Sequence, residues 1–425
     1  MPGDCMRKTK RVLWVALSVA TIFAGLTGLG DRVRAQSPTE AGHHTVVVNP
    51  NANGNGTART IQQGIDMVAP GGKVLVRPGT YPESLVVTKG LTLESIGQGA
   101  GPVIIAPSGA PVSAIEITTT EPVTLRDLTV HVPGLNGIRG DGEVDLTVEG
   151  SVIVAVNPPT TAASRLITVS NDGLDGSRSR MVVRDSFLDG AIPNPPFTQS
   201  FALQAQGNVD AVLERNVIRR VGGACIFIVT RTDLGGELNA DILDNDLDEC
   251  HPFGRVASII IGPFAVILPS ATHPVTATGV VNIIGNTIRN SSHACLTSAI
   301  SYEVYGGLIE RNRILDVVQS CATPTGRNRP GAIWIGRLTA GFPFPPVTPS
   351  VRFNDIQGNA YAGLRIAPNQ TIPIDASCNY WGSQWGPSGI GPGDGDAILV
   401  EPGGASPLFT PFATAPIAGT TSTGC

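Results

Sequence analysis

Aromatic and charged residues are scarce in this 425-residue chain: Phe, Trp and Tyr make up 5% and Asp, Glu, Lys and Arg 15%. Lysine is scarcest, and beyond residue 35 only Lys73 and Lys89 remain. No basic stripe can be drawn, which excludes the phosphate-tracking surface that nucleic-acid binding needs. No long apolar run follows residue 30, so nothing later has the length of a membrane span. His131, His273 and His293 are isolated, and the adjacent His43 and His44 project to opposite sides of an extended strand. None has metal-ligand spacing.

What is present begins with a basic cluster, Arg7, Lys8, Lys10 and Arg11, followed by an uncharged apolar stretch from Val12 to Gly30. Val33-Arg34-Ala35 offers a small-x-small cleavage site before Gln36. This order reads as an export signal over residues 1–35, cleaved after Ala35, and places the protein outside the cell, on its surface or in a periplasm. A retained anchor is the competing reading; the polar sequence that follows at once favours cleavage. Cleavage takes away six Lys/Arg and two Asp/Glu and moves the formal charge from −5 to −9. Without the signal no membrane segment is left, and 51 Gly with 41% hydrophobic residues describe a folded, turn-rich chain.

The rest is organised by a returning pattern. VLERNVI (Val212 to Ile218) recurs as ILDNDL (Ile242 to Leu247), IIGNTI (Ile283 to Ile288), IERNRI (Ile309 to Ile314) and VRFNDI (Val351 to Ile356). A weaker copy, VVRDSF (Val182 to Phe187), reads with Asp185 in place of the Asn. The Asn residues are Asn216, Asn245, Asn286, Asn312 and Asn354, at gaps of 29, 41, 26 and 42 residues. An aliphatic residue stands three positions before each and another two after. Short β-branched pieces with polar residues between them are strands, and similarity at this period is the mark of a stacked architecture. The expected fold is therefore all-β: a single-stranded parallel β-helix, a solenoid whose levels lie about 4.8 Å apart. The Asn side chains would form an internal amide ladder, because an unpaired buried amide is costly and repetition satisfies it. A β-sandwich would give short strands but no constant register around each Asn.

Six cysteines remain after signal cleavage: Cys225, Cys250, Cys295, Cys321, Cys378 and Cys425. An even count in an exported chain suggests disulfides, with fifteen pairings open. Cys295 and Cys321 each stand nine residues after a ladder Asn, so stacking brings them within bridging distance. Cys225–Cys250 and Cys378–Cys425 follow by elimination. Buried free thiols are the alternative.

Residues 36–44 form a polar leader and residues 45–412 the solenoid, with a loose tail over 413–425. Ile61, Ile65, Met67 and Val68 predict a short amphipathic helix that covers the open end of the first coil, since bare solenoid ends expose strand edges. The stretch TIQQGIDMVAPGGKVLVRPGTYPESLVVTKGLTL, Thr60 to Leu93, resembles the opening of secreted bacterial proteins of the pectin-lyase-like superfamily. NYWGSQWGPSG, Asn379 to Gly389, with Gly395-Asp396 and Pro407, is similar to the ending many of them share. The resemblance spans about residues 45–412 and implies a right-handed parallel β-helix with a polysaccharide partner. It carries over no catalytic residues. Gly79-Thr80-Tyr81 and Glu83 are similar to a pectin methylesterase stretch, yet that family's later Asp-Phe-Ile-Phe-Gly motif is absent, as are the motifs of polygalacturonases and pectate lyases.

Three groups could carry chemistry. In DILDNDLDECH, Asp244, Asp246 and Asp248 alternate with inward residues and face outward, with His251 nearby. Such carboxylates could serve as glycosidase acid and base, or hold Ca²⁺ for a lyase, and His251 could be a base. Read across coils, Asp248 lies level with Arg219 and Arg289, Asp244 with Arg215, and Glu249 with Arg220, which is a set of charge ladders. Asp246, between Val217 and Thr287, has no level partner and is the acid the pattern singles out. Asp172, Asp175, Asp394 and Asp396 sit in Gly-rich turns where Ca²⁺ could bind, though no complete ligand loop is present. Tyr380, Trp381 and Trp385 either stack on sugars or close the end of the core. The functional expectation is binding or cleavage of extracellular polysaccharide, by a lyase or glycoside hydrolase if an enzyme; the alternative is a non-catalytic surface or adhesive rod. Neither the glycan nor the oligomeric state is written in the sequence.

Overall fold

The computed structural model describes residues 43–51, 57–97, 101–109, 111–156, 164–173, 175–191, 200–230, 236–237, 239–250, 257–263, 277–293, 298–303, 306–319, 331–336, 346–417 and 425. The residues of the expected export signal and His251, Cys295 and Cys321 lie outside these.

Three long sheets, of 12, 10 and 12 strands among the described residues, run the length of the chain. Every strand pairing in them is parallel, and between the two ends the neighbours of each strand belong to the coils before and after it. One turn of the coil shows the plan. Val209–Glu214 lies in the first sheet, Val217–Val221 in the second and Ile226–Thr230 in the third. The chain then repeats with Asn239–Leu243, Asp246–Cys250 and Ile259–Pro263. The protein is a parallel β-helix.

The aliphatic positions of the repeat make the core. Leu213, Ile242, Ile283, Ile309 and Val351 stand level on successive coils. So do Ile218, Leu247, Ile288, Ile314 and Ile356. All ten are fully buried. Alternation along each strand puts every second residue inside, and stacking lines those residues into continuous apolar columns.

The Asn residues form one file. Nδ2 of Asn216 donates to Oδ1 of Asn245 at 3.0 Å, Asn245 to Asn286 at 2.9 Å, Asn286 to Asn312 at 3.0 Å and Asn312 to Asn354 at 3.0 Å. The backbone N–H of each donates to the same oxygen of the next. The second Nδ2 proton goes back to a carbonyl of the preceding coil: Val183, Leu213, Ile242, Ile283 and Ile309 in turn. Each amide thus satisfies its donors and its acceptor inside a dry core, which makes the polar residue tolerable there.

Two features went beyond the sequence pattern. The file continues from Asn354 to Asn379 at 2.9 Å; its flanks, Ala376 and Trp381, are a small residue and an indole instead of two aliphatics. At the other end Ser186, not Asp185, fills the ladder position: its N–H donates to Asn216 Oδ1 at 3.1 Å, and Ser151 N–H donates to Ser186 Oγ at 3.2 Å. The strand register pairs Val183 with Leu213 and so sets Ser186 against Asn216. Asp185 instead occupies the corner before it, with φ 52°. That corner is left-handed in successive coils: Arg215, Asp244, Gly285, Arg311, Phe353 and Cys378 all have positive φ. A non-Gly residue there costs roughly 1–3 kcal/mol. The corner aims the next side chain inward, and the ladder bonds hold it.

The N-terminal end is covered as expected. Helix α1, Ile61–Met67, is capped by Thr60, whose side chain accepts from Gln63 N–H, and the Glu83 carboxylate accepts from Ile61 and Gln62 N–H at 2.7 and 3.1 Å. Ile61 and Ile65 are buried against the first coil. Val68, expected in the helix, instead begins the next strand. Cys225 is bonded to Cys250 across adjacent coils, with 5.9 Å between the Cα atoms, and Cys378 to Cys425 at 5.5 Å.

Candidate functional site

The walls offer little free chemistry. In the first sheet Glu94, Arg126, Glu149, Arg184 and Glu214 stand level on five successive coils, alternating in sign. Arg126 lies 3.5 Å from Glu94 and 3.0 Å from Glu149, and Arg184 3.4 Å from Glu149. The hydrogen bond from Arg126 is the main cause holding the Glu149 carboxyl below the usual carboxylate range.

Asp246 belongs to such a network too, which corrects the expectation that it stands alone. Arg289 Nη1 lies 2.6 Å from its Oδ1, and Arg289 Nη2 donates to Oδ2 at 2.9 Å. Asp246 is level with Thr287, as the pattern requires. Its partner is the diagonal neighbour two residues on, well within reach of a long side chain. The same guanidinium lies 3.4 Å from Asp248, which also accepts from Asn290 Nδ2 at 2.8 Å. Two other expected pairings go to the opposite neighbour: Arg215 bonds to Asp185 and Arg220 to Asp189, each on the preceding coil. His251 lies outside the described residues, so the structure does not join it to this group.

The polar groups that converge lie instead at the C-terminal end of the stack. An open cleft of about 550 Å³ is lined by Asp316, Gln357, Asn359, Tyr361, Trp381, Ser388, Asp394 and Asp396, with glycines and aliphatics between them. It falls within the size range of small-ligand sites, roughly 300–1,000 Å³. Three segments build it. Asp316 is the left-handed corner of its coil, at φ 52°. The next coil places Gly358 beneath it at φ 73°, where a Cβ would lie 2.4 Å from the Asp316 carboxylate and would have to displace it. The closing turn after Trp381 brings up Asp394 and Asp396.

Asp396 ends a second, shorter ladder. Asn359 accepts from Val317 N–H at 3.2 Å, donates to Ile314 O at 3.1 Å, and gives both its backbone N–H and its Nδ2 to Asp396 Oδ2 at 3.0 and 2.7 Å. This repeats the bonding of the Asn file, with a carboxyl as last acceptor. Burial pushes the Asp396 carboxyl above the usual carboxylate range, against the hydrogen bonds from Asn359 that oppose it. A carboxyl held above the usual range beside other carboxylates is a combination that glycoside hydrolysis employs.

A pH dependence follows. A raised folded value means that Asp396 supports the fold while protonated and withdraws that support as pH rises through it. Asp396→Asn keeps the acceptor for Asn359 and cannot ionise. We expect it to melt about 1–3 °C above wild type at pH 7 and level with it below pH 4, by calorimetry across pH. A variant that gains nothing at pH 7 would show that the Asp396 charge is not costly.

The three aromatics at this end divide. Trp381 is fully buried and closes the core, and Tyr380 is half-buried. Trp385 is 65% exposed. Its backbone N–H donates to the Ser383 hydroxyl at 3.1 Å, and that hydroxyl donates to Asp394, a lining residue of the cleft. Of the suggested Ca²⁺ turns, Asp394 and Asp396 meet in the cleft, while Asp175 accepts from Ser177 N–H in its own turn. Among the described residues no three His, Cys, Asp or Glu are grouped to hold a metal.

No known protein family and no curated protein matches the sequence. Among solved structures the chain is similar to pectin methylesterase from carrot, at 14% identity over 69% of this chain and 89% of that one, with a TM-score of 0.32. It is similar to pectin methylesterase PemA from Erwinia chrysanthemi at 9% identity over 67% and 92%, TM-score 0.33. It is also similar to the catalytic unit of a thermostable GH87 alpha-1,3-glucanase from Streptomyces thermodiastaticus, at 16% identity over 87% and 69%, TM-score 0.37. At these identities the fold rests on the strand pairing itself, and the likenesses add nothing about a reaction.

Proposed function

We propose that this protein binds extracellular polysaccharide through the cleft at the C-terminal end of its coil stack. The observation that carries the reading is an exposed indole, Trp385, tied through the Ser383 hydroxyl to Asp394, which lines a cleft of amides, hydroxyls and carboxylates. An aromatic face packs on the apolar side of a sugar ring, and the polar groups take its hydroxyls. The walls support a second, structural part of the reading. Arg126, Arg184, Arg215, Arg220 and Arg289 all engage carboxylates there, which favours a rigid, non-catalytic rod with its binding site at one end.

Affinity electrophoresis through gels containing dissolved polysaccharides tests this. Trp385→Ala should weaken binding about tenfold or more, while Asp246→Ala, which removes a wall ion pair, should bind as wild type does. Equal binding by wild type and Trp385→Ala would remove the cleft from the account. Release of reducing ends by wild type but not by Asp396→Asn would make the cleft an active site.

A further inference from the structure

The lining of the cleft also bears on which glycan it takes, given that it takes one. Asp316, Asp394 and Asp396 line it, and among the described residues no lysine, arginine or histidine does. Among the described residues none of the three is ion-paired. The cleft therefore presents carboxylate acceptors and, among its described residues, no cation.

We propose that the ligand is a neutral, hydroxyl-rich glycan and that uronic-acid polymers are refused. A sugar hydroxyl is a donor, so one ring can give protons to Asp316 or Asp394. A uronate has no proton to give a carboxylate. Bringing its charge against three acids without a cation is repulsive, and such like-charge contact is how a site rejects a wrong ligand. The chain's formal charge of −5 adds to that repulsion at long range.

The experiment compares a neutral β-glucan, a neutral α-glucan and polygalacturonate at pH 7, in low and in high salt. Wild type should be retarded by at least one neutral polymer and not by polygalacturonate in either salt. Asp316→Asn/Asp394→Asn should lose about tenfold in affinity for the neutral polymer, with unchanged far-UV circular dichroism as the check on folding. Binding of polygalacturonate that depends on Trp385 would overturn the inference and leave the glycan reading standing. Failure to bind any of the three would overturn both.

Discussion

Asn286→Ala is expected to lower the melting temperature by about 4–11 °C, the largest effect of any single substitution considered for this chain. Asn286 sits in the middle of the file. Removing its amide strips the acceptor from Asn245 N–H and Nδ2, both at 2.9 Å, and the donor from Ile242 O at 2.8 Å. Each orphaned group costs roughly 1–3 kcal/mol in a dry interior, so the sum over the three is about 3–9 kcal/mol. Water cannot repair the loss, because the site is closed by Ile283, Ile288 and their neighbours on the coils above and below. Asn286→Ser should lose less. Ser186 already fills that position natively, accepting from Ser151 N–H and donating to Arg184 O. Thermal melts of the two variants check this, and a loss under about 2 °C for Asn286→Ala would mean that the file does not hold the coils.

Cys225→Ala/Cys250→Ala is expected to cost about 3–4 kcal/mol. The bond closes a segment of 25 residues, and chain-entropy arguments give about 3.5 kcal/mol for that length. Both sulfurs are fully buried, so their loss adds a packing defect. Denaturant unfolding under non-reducing conditions is the measurement. Releasing Cys378 from Cys425 should do much less, although it closes 47 residues. Cys425 is exposed and its bond fastens the end of the chain, so opening it frees a tail and leaves the coils stacked. Equal losses from the two bonds would contradict this division.

The difference between those sites follows what a sequence can encode. The core columns, the Asn file from Asn216 to Asn354 and the capping helix were legible, because each is a local pattern that the coil repeats at constant register. Asn379 was missed because its flanks are Ala376 and Trp381. Asp185 was misassigned by one residue because the corner and ladder positions are adjacent, and only strand register separates them. The pairing of Asp246 with Arg289 was missed because level neighbours can be read across coils while diagonal reach cannot. The cleft was not legible as a site. Asp316, Asn359 and Asp396 lie about 40 residues apart along the chain, at irregular spacing. They meet only because coil closure sets one corner over the next. Asp394, Asp396 and Trp385 each stood out in the sequence, but nothing there brought Asp316 to them.

Hydrogen exchange measured with and without a bound neutral oligosaccharide is the most direct test of where this protein works. The account predicts slowed exchange over residues 315–317, 357–361 and 382–396, with the strand Asp246–Cys250 and its neighbour Thr287–Arg289 unchanged. Protection spread along that wall, with none in the closing turn, would contradict it.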